Sequence, residues 1–137
     1  FVYGWLETNG TTLLDLRRNG RNRRRSGISL ERNTIMHMQL GDASGGVTSN
    51  SGNAKEGIWE MAVRNGRYLV TVTVGDRPDV SPSTYSAFHS ITVEQSQLIN
   101  RFQGSTTKEF ETASAIVAVS DGRLTIRAAG GFNTKIC

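Results

Sequence analysis

The sequence predicts an all-β domain, an antiparallel two-sheet sandwich of jelly-roll type, and three observations predict it. From Gly57 to Asp76 two alternating runs flank Asn65-Gly66, and in the second run Tyr68, Val70, Val72 and Val74 share one face while Leu69, Thr71 and Thr73 share the other. A period of two is that of a strand with one buried side. Short runs of this kind recur along the chain, separated by stretches dense in Gly, Ser, Asn and Pro, the spacing of a two-sheet sandwich. Helical periodicity is lacking, apart from room for two turns of helix within 13–18.

Taken in order, the strand candidates are 1–6, 34–40, 57–63, 67–74, 87–93, 109–119, 123–128 and 134–137. In the second of these Met36, Met38 and Leu40 alternate with His37 and Gln39, so methionines in the core would turn the two polar side chains together to the other face. In the third, Trp59 alternates with Met61 and reads as core. Asn65-Gly66 accepts the positive φ angles of a tight turn, and Asp121-Gly122 signals a second hairpin between 116–119 and 124–128. His89 shares parity with Ile91 and Val93 and reads as a buried, hydrogen-bonded histidine. Stretches 41–55 and 75–83 read as turns and loops. Antiparallel pairing of the first and last strands is the expected closure.

The 137 residues form one domain, large enough to bury roughly two thirds of the surface that the unfolded chain would expose. No run approaches the roughly 20 apolar residues that span a bilayer, so membrane insertion is not expected. The chain opens on Phe1 and ends on its single cysteine, Cys137. It is expected to be a module of a larger multidomain protein, beside neighbouring domains, with no disulfide of its own. Asn9-Gly10-Thr11 is a glycosylation sequon that a surface turn would make usable.

The formal net charge is +4, and the excess lies in Arg17, Arg18, Arg21, Arg23, Arg24 and Arg25. The run reads as a solvated, flexible loop between two early strands, with polyanion binding as the alternative. No aromatic residue is interleaved with it, so nucleic acid is not the expected partner. Catalysis is not expected either. The two histidines stand alone, the carboxylates are scattered singly, and no Gly-x-Ser-x-Gly elbow or phosphate loop is present. Asp42, Asp76 and Asp79 sit in loops from which a structural calcium ion could draw oxygen ligands, although Gly75-Asp76 reads first as an ordinary strand-ending turn, and no cofactor is expected. Trp5 and Trp59 could each offer an indole face to a pyranose ring.

Tyr3-Gly4-Trp5, His37-Met38-Gln39-Leu40, Trp59-Glu60, the run from Gly66 to Asp76, His89-x-Ile91-x-Val93-Glu94, Asp121-Gly122-Arg123-Leu124-Thr125-Ile126 and the run from Gly130 to Ile136 follow one another in this order. Together they resemble the malectin-like and galactose-binding-like β-sandwich modules of secreted or cell-surface proteins. The resemblance implies a galactose-binding-domain-like jelly roll that binds carbohydrate without catalysis, at an extracellular or cell-surface location. The tyrosine cluster that holds sugar in malectin has no match here. A glycan or acidic saccharide is accordingly expected in a cleft lined by Tyr3, Trp5, Arg21, Arg23, His37, Gln39 and Asn133, with arginine forks serving ring hydroxyls or a sugar carboxylate. A protein-adhesion or assembly domain is the alternative from another class, and a catalytic domain with a convergent carboxylate or histidine pair is the third.

Overall fold

The computed structural model describes residues 2–39, 52–78 and 85–137. Ten strands lie among them: β1 (Tyr3–Leu6), β2 (Gly20–Asn22), β3 (Thr34–His37), β4 (Ile58–Ala62), β5 (Gly66–Gly75), β6 (His89–Val93), β7 (Ser96–Phe102), β8 (Phe110–Val119), β9 (Arg123–Arg127) and β10 (Lys135–Ile136). They form two five-stranded sheets, β1-β4-β9-β6-β7 and β2-β3-β10-β5-β8, in which all paired neighbours are antiparallel. Set aside the edge strands β1 and β2, and the remaining eight run first-eighth-third-sixth in one sheet and second-seventh-fourth-fifth in the other. That is the strand order of a jelly roll.

The parity of β5 follows the sequence. Val72 and Val74 are buried between the sheets while Leu69, on the other face, is 72% exposed. Met38, Ile91, Val93, Ile99, Val117, Ile126 and Ala128 complete the core around them. Each buried Val or Ile side chain contributes about 1.5–3 kcal/mol relative to exposure, so the alternating strands themselves supply the driving force for stacking.

Both expected hairpins are corrected. β4 and β5 belong to different sheets, as do β8 and β9, so Asn65-Gly66 and Asp121-Gly122 sit at corners where the chain changes layer. Three residues separate the strands at each corner, enough extended backbone to cover the roughly 10 Å between stacked sheets. The corners lie side by side: Asn65 Nδ2 donates to the Ser120 carbonyl at 2.9 Å, and the Gly122 N–H donates to Asn65 Oδ1 at 2.7 Å. Among the described residues a tight hairpin joins β6 to β7, turned at Glu94 with φ +54°, while β2 and β3, also consecutive and paired, are joined by the longer segment that carries α1 (Leu30–Asn33). The expected closure is corrected as well, because β1 pairs with β4 while β10 lies between β3 and β5.

Two strands escape the sequence pattern. Gly20–Asn22 carries no apolar residue, and it forms β2 through its pairing with β3. In β7 the apolar positions Leu98, Ile99 and Phe102 do not alternate, since the β6–β7 register shifts and Arg101 takes φ +49°. The helical option at 13–18 becomes a 3-10 turn at Arg17–Asn19, and α1, one turn of helix, follows a Ser29 cap.

The arginine run is not a loose loop. Arg17 pairs with Asp15 at 2.6 Å, Arg23 pairs with Asp76, and Arg25 Nη2 donates to the Pro78 carbonyl at 3.4 Å. The Asn9 sequon lies on an exposed turn, where Asn9 Oδ1 accepts the N–H groups of Thr11 and Thr12. No helix among the described residues is long and apolar enough to cross a membrane.

Candidate functional site

The edge strands β1 and β2, one from each sheet, frame an open groove of about 530 Å³ between the layers. On one wall Trp5 of β1 stands directly opposite Trp59 of β4, and Trp59 opposite Ile126 of β9. On the other wall Met36 of β3 stands opposite Ile136 of β10, with Val72 of β5 beside them. Asn22 and Thr34 add polar side chains to this largely apolar lining, while Arg21 and Thr71 border it, the Thr71 hydroxyl being bound to Ser114 Oγ on the outer face at 2.7 Å. Gly57 makes room for the indole: a Cβ there would lie 2.5 Å from Leu16 Cδ1 and 3.0 Å from Trp5 Cε3, closer than packed carbon atoms approach. Cys137, also on the wall, keeps its proton, because burial first and Asp76 second push its pKa up to about 12.

A second, smaller pocket of about 170 Å³ lies where β5 leaves the sandwich and β6 and β10 enter it. Its walls are polar, with Arg23, His37, Asp76, Glu109, Asn133 and Lys135 among them. Gly75 ends β5 with φ +134°, and a Cβ on it would fall 2.3 Å from the Glu109 carbonyl oxygen, so glycine is required there. The turn delivers Asp76 into the protein, where Arg23 grips both carboxylate oxygens through Nε at 2.8 Å and Nη2 at 2.7 Å. Glu109 receives Arg77 Nε at 2.7 Å and the Tyr85 hydroxyl at 3.2 Å.

Two imidazoles complete this pocket. The Lys135 N–H donates to His89 Nδ1 at 3.0 Å, so the His89 proton resides on Nε2. His37 Nδ1 donates to Asn133 Oδ1 at 2.7 Å, while its buried Nε2 has no hydrogen-bond partner among the described residues. Burial is the first cause, and the Lys135 ammonium the second, of His37 being held at about 4 and His89 at about 3. Lys135 is lowered too, by burial, against the pull of Asp76.

Of the seven residues expected to line one cleft, the structure brings Trp5 and Arg21 to the groove and Arg23, His37 and Asn133 to the polar pocket. The single cleft is thus corrected to two. Alternation along β3 turns Met36 to the groove and His37 to the opposite side of the sheet, while Arg21, in register with Ile35, shares the His37 side by parity although it borders the groove. Arg21 turns its Nη1 back to the carbonyls of Arg18 and Gly20. Tyr3 lies on β1 but is 67% exposed and lines neither cavity. Gln39 is buried, its Nε2 donating to the Gly131 carbonyl at 3.1 Å. His37 and Gln39 are therefore both tied to the turn that precedes β10.

Sequence reasoning missed Lys135. A lysine in a two-residue strand carries no signal of burial, and only the position of β10 between β3 and β5 encloses it. Asp76 read as a turn or calcium residue, whereas its oxygens are taken by Arg23; Asp42 and Asp79 lie outside the described residues. Among the described residues no group of three or more His, Cys, Asp or Glu side chains could hold a metal ion.

No protein-family model, curated protein or solved structure matches the chain.

Proposed function

We propose that this chain is a non-catalytic carbohydrate-binding module, akin to the malectin-like and galactose-binding-like sandwiches, whose ligand lies in the groove between β1 and β2. The observation that carries the reading is the pair Trp5 and Trp59, set in cross-strand register on one wall. An indole offers a flat apolar face with a single polar handle, which suits the C–H face of a sugar ring. Asn22, Thr34 and the backbone of β2 supply donors and acceptors within the same groove. Its volume falls in the roughly 300–1,000 Å³ range of pockets that take a whole small ligand. An extracellular or cell-surface setting, with neighbouring domains in a parent protein, belongs to the same proposal.

A glycan-array screen followed by calorimetry tests this. One class of saccharide binds, and Trp5→Ala and Trp59→Ala each weaken it by about tenfold, equivalent to about 1.4 kcal/mol. A folded protein that retains no glycan on the array would overturn the reading.

Protein recognition has one specific observation in its favour. Leu69 and Ile116 stand opposite one another on the outer face of β5 and β8, 72% and 58% exposed. Polyanion binding through the arginine run is the weaker option, since Arg17, Arg23 and Arg25 already serve partners within the chain.

A further inference from the structure

Among the described residues, those at the polar pocket of the β5–β6–β10 end form two matched ion pairs, one of them completed by Arg77 from outside the lining, and leave one cation in excess. Arg23 cancels Asp76 through two hydrogen bonds, and Arg77 cancels Glu109. Lys135 remains. Its side chain is 8% exposed, and its Nζ lies 3.8 Å from the nearest carboxylate oxygen, Asp76 Oδ2, beyond hydrogen-bond distance. Among the described residues the ammonium donates to no acceptor within hydrogen-bond range. A buried cation without full compensation is costly, so an anion that meets it gains the interaction that the protein does not supply.

The neighbouring polar groups match such an anion in kind. His89 accepts the Lys135 N–H at Nδ1, which places its own N–H on Nε2 as a donor. Asn133 gives its Oδ1 to His37, which leaves its amide N–H groups as donors. All these residues line the pocket. At about 170 Å³ it is smaller than the roughly 300 Å³ at which pockets begin to enclose a whole ligand. The space suits a small group with one charge.

From this arrangement we infer that the pocket is a second ligand site, independent of the groove, which takes a single carboxylate group on Lys135, either a small free carboxylate or the carboxylate of an acidic saccharide. The carboxylate oxygens accept from Lys135 Nζ, and His89 Nε2–H and the Asn133 amide serve the remaining lone pairs.

Thermal unfolding at pH 7, at matched ionic strength, tests the inference with four sodium or neutral probes: acetate, glucuronate, chloride and glucose. Acetate or glucuronate raises the unfolding temperature above that in chloride or glucose. Glucuronate acting at lower concentration than acetate identifies the saccharide as the source, and equal action identifies the free carboxylate; either supports the site. In Lys135→Met the increment disappears while the unliganded protein unfolds at the same or a higher temperature, because an uncompensated buried charge has gone. An increment that survives in Lys135→Met, or none from either carboxylate, overturns the inference. Should Lys135→Met fail to fold, the imidazole resonances of His37 and His89 in the wild-type chain decide: they move on titration with carboxylate and not with chloride, and resonances that stay fixed overturn it. Glycan retention in the groove is scored separately with Trp59→Ala, so the two sites fail independently.

Discussion

His37 and His89 are uncharged in the fold at neutral pH, since burial before all else holds them at about 4 and about 3. In the unfolded chain imidazoles titrate near 6.5. The unfolded state therefore binds more protons throughout the interval below about 6.5, and stability that is complete above that pH is lost as it falls toward 4 and 3. His37 alone accounts for about 3 kcal/mol of that loss. Urea midpoints measured from pH 7 to pH 4 should fall steadily, and less steeply in His37→Gln; a flat profile would show that the imidazoles are solvated. Gly75 gives a second residue-scale prediction. Its φ of +134° and the 2.3 Å approach of a Cβ to the Glu109 carbonyl mean that Gly75→Ala displaces backbone. The expected cost is about 2–4 kcal/mol, read from chemical denaturation. Parity on β3 was visible in the sequence and correctly set His37 and Gln39 apart from Met38. The burial of Lys135 was not, because it depends on strands more than fifty residues away.

Asn65 works at the scale of elements. Its side chain ties the β4–β5 corner to the β8–β9 corner with two hydrogen bonds, so Asn65→Ala should lower stability by about 1–2 kcal/mol without changing the far-ultraviolet spectrum. An unchanged denaturation midpoint would mean that the corners hold without this clamp. The same corners show how far sequence reaches. Asn-Gly and Asp-Gly record that the chain turns sharply, and alternation records that strands follow. Neither records whether the next strand pairs with the last one or crosses to the other layer, since layer choice depends on the sum of inter-sheet contacts. Strands with clean alternation, such as β5 and β6, were legible. β7 was hidden by its bulge at Arg101, and β2 by having nothing apolar to count.

At the scale of the whole molecule, jelly-roll order brings two four-residue-or-shorter edge strands, β1 and β2, to the same side of the sandwich and leaves a groove between them. Trp5 and Trp59 were recognisable as candidate sugar platforms, but their meeting was not, because residues 54 positions apart join only through the β1–β4 register. Polar chemistry collects at the β5–β6–β10 end instead, which separates a site suited to stacking from one suited to charge. The most direct test of the groove is the indole N–H spectrum of the folded protein, recorded while the best-bound saccharide from an array is titrated in. Trp5 and Trp59 give two resonances, and both should move along one binding curve. Two fixed indole resonances, with shifts elsewhere in the protein, would contradict the account.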